Sequence, residues 1–275
     1  MCVDDSSCIN FKSTVVLFVL MPPVRSIRVR GFSFRYNDPH DVLGIIESVV
    51  FDVYQSRHIR EGDLVVDIGA GVGDFTIVAS KRVGHTGHVI AIEPSPDDFE
   101  SLSENLVINR CDNVSALNSA VSGTGQGTVE LRFKGRSFHA QSKRLREILS
   151  DSGASKFGKV TLLKMDVEGA EVDIVPDNIE LMRNCEWIAM EFHNGSQRLI
   201  APRIEEMGFR FRRVQRTDYL VRLVALCLSH PIQSYRLYKA VKESPAFHGV
   251  AKLTSGLDIS NSDELIVGVF TRVRP

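Results

Sequence analysis

The sequence predicts an α/β protein, a doubly wound sheet with helices on both faces. Three observations carry this. From residue 63 onward short apolar runs alternate with longer amphipathic stretches, the rhythm of strand–helix–strand units. Several of those runs are continuously apolar, as strands buried on both faces of a parallel sheet require. A glycine-rich turn joins the first of them to the following helix. At 275 residues the chain has room for one large α/β domain with decorations, or for two small domains.

The elements follow in order. Residues 26–36, SIRVRGFSFRY, alternate apolar and polar and predict a strand or hairpin. A helix comes next, with Asp38 as its cap and Pro39 in its first turn. Val42, Ile45, Ile46, Val49, Val50 and Val53 recur at helical spacing. Residues 26–62 thus form a cap ahead of a main domain over 63–275.

In that domain DLVVDIG is a strand, and a helix over about 74–83 stops at Gly84. HVIAIE (88–93) is the second strand. Ser95 then caps a helix with Pro96 in its first turn and Asp98 at the reciprocal capping position, running to about Asn109. VSALNSAV (114–121) reads as a third strand and TVELRF (128–133) as a side strand. GRSFHAQS is a loop carrying a surface His139, and SKRLREILS is a helix. KVTLLKMD (159–166) and EWIAMEFH (186–193) are further parallel strands, with a helix in QRLIAPRIEEMG. FRFRRV (209–214) and ELIVGVFTRV (264–273) close the sheet.

Residues 215–263 form an insertion, with helices predicted at 219–228 and 234–241. From Phe209 to Lys242 there are eight basic residues (Arg210, Arg212, Arg213, Arg216, Arg222, Arg236, Lys239, Lys242) against one acid, Asp218. Solvated helix faces explain such a bias; a basic lid over an anionic substrate is the functional alternative.

A net charge of −1 gives no bulk attraction to nucleic acid. The five cysteines (Cys2, Cys8, Cys111, Cys185, Cys227) form no C-x-x-C pair, so neither a disulfide framework nor a zinc site is expected, and a cytoplasmic setting fits. The apolar run 14–21, TVVLFVLM, is too short to span a bilayer. No signal peptide is expected; residues 1–25 are an N-terminal extension, and translation starting at Met21 accounts for the first twenty of them as well as any function does. No transmembrane segment is expected.

VVDIGAGVGDF (65–75) is the most informative stretch. Gly69, Gly71 and Gly73 allow tight dihedrals and close approach of backbone to a ligand. A dinucleotide fingerprint needs glycine or alanine where Asp74 stands. Asp67 also aims a negative charge at the place where NAD would put its pyrophosphate. A cation without phosphates, such as S-adenosyl-L-methionine, fits better. Glu93, ending the second strand, can accept hydrogen bonds from ribose hydroxyls.

VVDIGAGVGDF, VIAIEPSP, LLKMDVEGAE and MEFH, in this order, resemble the FkbM-type S-adenosylmethionine-dependent methyltransferases, over roughly residues 40–214 plus the final strand. DVEGAE is the stretch that narrows a broad superfamily to this family. The resemblance implies a Rossmann-like seven-stranded sheet, its last strand antiparallel, and methyl transfer usually to a hydroxyl oxygen. It implies that Asp67, Gly69, Ala70, Gly71 and Gly73 line the methionine side of the cofactor, Glu93 the ribose, and Ser119 and Ala120 the neighbourhood of the adenine.

The chemistry should lie where strands 159–166 and 186–193 end. Period-two alternation puts Lys164 and Asp166 on one side, and Glu191 and His193 likewise; these four are the candidate catalytic residues. His193 titrates near neutrality and could take a proton, with a carboxylate to orient it. Glu168 is a rim acid. Glu171 and Asp173 are assigned to the start of the next helix, where acids complement the dipole. No metal is expected, although Asp166, Glu191 and His193 are residue types that could converge on a divalent ion.

The leading expectation is O-methylation of a small molecule, sugar or glycan. A nucleic-acid methyltransferase using the basic 209–242 segment is the alternative; no base-amine motif or RNA-binding module accompanies it. Neither acceptor nor oligomeric state is set by the sequence.

Overall fold

The computed structural model describes residues 25–125, 127–229, 232, 235 and 266–273. The reading of residues 1–24, the helix at 234–241 and most of the 215–263 insertion lie outside them.

A hairpin of β1 (Arg25–Val29) and β2 (Phe32–Tyr36) opens the chain. Helix α1 (Asp41–Ile46) runs directly into a π-helical turn, Glu47–Phe51, that ends at Asp52 in the left-handed region, φ 47°. The expected cap is displaced: the helix starts only at Asp41 with His40 at its N-cap and no side-chain cap hydrogen bond, so Pro39 precedes it, and the Asp38 Oδ1 accepts locally from His40 N at 2.8 Å. The strands of the main sheet are β3 (Leu64–Ile68), β4 (His88–Ile92), β5 (Val114–Leu117), β9 (Val160–Met165), β10 (Trp187–Phe192), β11 (Phe209–Arg213) and β12 (Ile266–Arg272). Their order is β11-β12-β10-β9-β3-β4-β5. Only β12 runs antiparallel to its neighbours. The seven-stranded, doubly wound sheet with one antiparallel strand is therefore present.

Its two faces are separated by strand alternation. Val65, Val89, Ala91, Leu162 and Ala189 meet the N-terminal cap, α2 (Asp74–Val83) and α3 (Pro96–Ile108). Val66, Ile68, Ile90, Leu163, Met165 and Ile188 meet α4 (Leu145–Asp151), α5 (Glu171–Asp177), α6 (Ile179–Met182) and α7 (Gln197–Glu206). Helix α8 (Arg216–Ser229) follows β11, and its Tyr219 packs edge-on against Phe51 with ring centroids 4.9 Å apart.

Three further expectations need correction. The run 114–121 is not one strand. It breaks at Asn118, whose Nδ2 donates to the carbonyls of Glu93 (2.9 Å) and Pro94 (3.2 Å). Residues Ala120–Val121 then form β6, which lies in a separate three-stranded sheet beside the strand Arg136–Lys143. GRSFHAQS is not a loop: β8 (Arg136–Lys143) pairs antiparallel with β7 (Thr128–Phe133), and α4 starts only at Leu145. Its buried positions, Ala140 and Ser142, are small and give little apolar signal. His139 is exposed, as expected. Finally, Ser95 does cap α3, its Oγ accepting from Asp98 N at 3.3 Å. The Asp98 carboxylate does not reach back, because Lys134 at the β7–β8 turn holds both its oxygens at 3.1 Å and also reaches Asp41 at 2.5 Å.

Gly69 joins the sheet to the site. Its φ is +75°, and a Cβ there would fall on the Asp166 carbonyl oxygen. Left-handed strain and overpacking each cost about 1–3 kcal/mol. Gly69→Ala is accordingly expected to destabilise the fold by about 3 kcal/mol or more, as chemical denaturation would measure.

Candidate active site

Parallel strands bring their carboxyl ends to one edge, and the candidate residues are on it. The end of β3 is tied to its neighbours: Gly69 N donates to Ile92 O, and Asp166 N to Ile68 O, each at 2.9 Å. Asp67 is fully buried there. Thr76 Oγ1 donates to its Oδ2, and Lys164 Nζ stands 3.1 Å from its Oδ1. Burial pushes the Asp67 carboxyl up, against the opposing pull of Lys164. The negative charge expected to face a ligand is instead matched internally.

Lys164 was a candidate for catalysis, and its surroundings give it another task. It is buried and also donates to the carbonyl oxygen of Gly69. Burial alone would lower its pKa, but Asp67, Asp166 and Asp74 hold it above the ordinary lysine value. It is a fixed cation pinning the glycine turn to β9, with no proton to exchange near neutrality.

Glu93 sits at the end of β4 with Oε2 accepting from Gly71 N and Oε1 from Ser95 N, both at 2.7 Å. Burial raises its pKa to about 7. Ala70 and Ser119 are buried, as is Ala120. The Ser119 hydroxyl donates to Gln141 O at 2.9 Å, so it is taken up by β8. Gly73 caps α2 at φ +88°. Asp74 is not a ligand-facing residue: Ser48 of the π-turn donates to its Oδ2, and burial raises it to about 6.

Asp166, Glu191 and His193 converge. One ligand atom from each lies within 4.8 Å of the others. His193 Nδ1 stands 2.8 Å from Glu171 Oε1, and Glu171 is fully buried. A carboxylate at Nδ1 fixes the tautomer with the proton there, leaving the Nε2 lone pair toward the other acids. Nε2 is 3.9 Å from Asp166 Oδ1, 3.8 Å from Glu191 Oε1 and 3.4 Å from the rim residue Glu168. Burial lowers the imidazole pKa, but the Glu171 hydrogen bond and the charges of Glu168 and Asp166 raise it overall. Burial, with Asp166 and Glu47 close by, raises Glu191 well above the ordinary value.

Sequence reasoning missed three contributors. Glu171, assigned to a helix start, does begin α5 and also orients His193. Tyr54 comes from the N-terminal cap; its hydroxyl donates to Glu191 Oε2 at 2.8 Å and lies 3.3 Å from Asp166 Oδ2. Burial keeps this phenol protonated. Glu47, at the start of the π-helical turn, is raised to about 8 by burial and by Asp166. No local pattern distinguishes Tyr54 or Glu47 from ordinary cap residues.

A cleft of about 620 Å³ lies beside this edge, lined by Arg35, Ser95, Asp98, Phe133, Lys134 and Phe138 among others. Asp166, Glu191 and His193 do not line it. In the basic segment, Arg212 pairs with Asp218 at 2.9 Å and Arg222 with Asp52 at 3.4 Å. Arg236, Lys239 and Lys242 lie outside the described residues.

This strand order, with a glycine turn after β3 and an acid closing β4, defines a class I methyltransferase fold. The methyltransferase FkbM domain matches residues 67–211, so the chain belongs to that family and is a methyltransferase by kinship. Methyltransferase sdnD of Sordaria araneosa is 26% identical over 201 residues, 57% of this chain and 77% of that protein. Hexuronic acid methyltransferase AglP of Haloferax volcanii is 24% identical over 149 residues, 50% of this chain and 58% of that protein. A solved S-adenosylmethionine-dependent O-methyltransferase from Thermotoga maritima aligns over 92% of this chain and 79% of that one, at 14% identity and a TM-score of 0.43. Among the described residues no helix is long and apolar enough to cross a membrane.

Proposed function

We propose that the chain transfers the methyl group of S-adenosylmethionine to a hydroxyl oxygen of a small molecule, sugar or glycan. The observation that carries this is the meeting of Asp166, Glu191 and the oriented His193 beside the glycine turn. Lys164 links the two, binding Gly69 O and standing 3.9 Å from Asp166 Oδ2. The glycine turn fits the cofactor. A Cβ on Gly71 would meet nothing nearer than 4.0 Å, so the space above the turn is open. The rim is acidic, as suits a cation without phosphates.

Bound cofactor supplies an electrophilic methyl on a sulfonium. The acceptor oxygen uses a lone pair to form the C–O bond as the C–S bond breaks, and the sulfur leaves as a neutral thioether. The hydroxyl proton passes to the polar cluster at these strand ends, in which the rim carboxylate of Glu168 stands 3.4 Å from His193 Nε2. A glycan or sugar acceptor agrees with the name of the Haloferax relative. Cys111, Cys185 and Cys227 are unpaired, in keeping with a reducing, cytoplasmic setting.

Glu93 gives this reading a pH signature. Ribose hydroxyls donate to its charged form, so affinity for S-adenosylhomocysteine should rise with pH up to about 7 and level off above it. The slope below that point approaches about tenfold per pH unit. Glu93→Gln should flatten the profile in calorimetry. Release of S-adenosylhomocysteine on adding a small-molecule extract tests turnover; no binding and no release would remove the proposal.

A further inference from the structure

We propose that Asp166, Glu191 and His193 form a binding site for one divalent cation of the Mg²⁺/Mn²⁺ class, which holds the acceptor hydroxyl. This rests on the methyl-transfer reading above.

Three atoms face one another with no donor between them: Asp166 Oδ1, Glu191 Oε1 and His193 Nε2. The imidazole nitrogen is 3.9 and 3.8 Å from the two oxygens, too far for hydrogen bonds. Their opposite sides are fastened. Tyr54 OH takes Glu191 Oε2 at 2.8 Å and lies 3.3 Å from Asp166 Oδ2. Glu171 holds His193 Nδ1 at 2.8 Å. A carboxylate on the far ring nitrogen and hydrogen bonds on the far carboxylate oxygens are the outer contacts that orient metal ligands.

A second observation concerns Glu191 itself. Its side chain is only 10% exposed, yet Oε1 makes no hydrogen bond among the described residues and is turned toward His193. A cation at that point would give this oxygen the partner that the protein does not supply and would hold the three acceptor atoms together. Cis ligands of an octahedral ion about 2.1 Å away lie roughly 3 Å apart, so an inward shift of about 1 Å closes the three onto it. Two carboxylates and one imidazole favour hard ions such as Mn²⁺ and Mg²⁺ over thiophilic ones.

The chemistry balances without redox change. The acceptor hydroxyl binds the cation through oxygen and gives its proton to Glu168, at the rim and 3.4 Å from Nε2, from where it exits to solvent. The oxygen then attacks the methyl carbon as the C–S bond breaks. The cation neutralises the alkoxide charge before transfer.

The test uses the full chain with Mn²⁺ as probe. Electron paramagnetic resonance should show saturable binding of a single Mn²⁺ per chain, displaced by Mg²⁺. Electron spin-echo modulation should show one coupled imidazole nitrogen. Glu191→Gln, which keeps an oxygen for Tyr54, and His193→Ala should weaken Mn²⁺ more than about tenfold; Arg136→Ala should not change it. No saturable binding in the wild type, no nitrogen coupling, or unchanged affinity in both site variants would overturn the site. S-adenosylhomocysteine calorimetry on the same sample in EDTA judges the methyltransferase reading separately.

Discussion

Lys164→Met is expected to lower stability by about 3–5 kcal/mol, the largest effect of any single change to the described core charges. Lys164 and Asp67 are both buried, at 3 and 0% exposure, with Nζ and Oδ1 3.1 Å apart. Removing the lysine leaves a carboxylate in the sheet interior with one hydroxyl donor, Thr76. The Gly69 carbonyl also loses its partner. The cost is mainly an uncompensated charge, so the double variant Lys164→Met/Asp67→Asn should recover much of it. Equilibrium urea unfolding of the two single variants and the double gives the coupling. If Lys164→Met unfolds like the wild type, the pair does not hold the glycine turn.

His193→Ala is expected to lower kcat by about 10²–10⁴-fold and to leave S-adenosylhomocysteine affinity within a few-fold. The split follows from placement. The cofactor expectation falls on the ends of β3 and β4, whereas His193 follows β10 and faces Asp166 and Glu191. Glu171→Gln should have an intermediate effect, about 10–100-fold, because Gln at Nδ1 no longer enforces the tautomer. The measurement is kcat and cofactor Kd for each variant. Equal loss of both quantities would place His193 in the cofactor site instead.

The sheet was legible because burial on two faces writes continuous apolar runs. LVVDI, HVIAI and WIAMEF are such runs, and their order with the glycine turn pointed to the family. The β7–β8 hairpin was half legible: TVELRF alternates clearly, but RSFHAQSK buries only small residues and has the composition of a loop. The break at Asn118 depends on carbonyls twenty-odd positions earlier, which no local pattern encodes.

The site divides similarly. Asp166, Glu191 and His193 stand out in the sequence because strand ends are where such folds work, and the structure brings the three together. Glu171 was given one role and has two, since helix-dipole reasoning does not see a histidine arriving from β10. Lys164 was read as chemically active from its side of the strand; its partner Asp67 is nearly a hundred positions away. Tyr54 lies outside the matched family region, and only packing brings it to Glu191.

The central claim is tested most directly by calorimetric titration of the wild-type chain with S-adenosylhomocysteine, alongside Glu93→Ala and Glu191→Gln. Binding at 1:1 stoichiometry is expected in the wild type and in Glu191→Gln, with at least about tenfold loss in Glu93→Ala, the equivalent of about 1.4 kcal/mol. No binding in the wild type, or binding lost on Glu191→Gln and kept in Glu93→Ala, would contradict it.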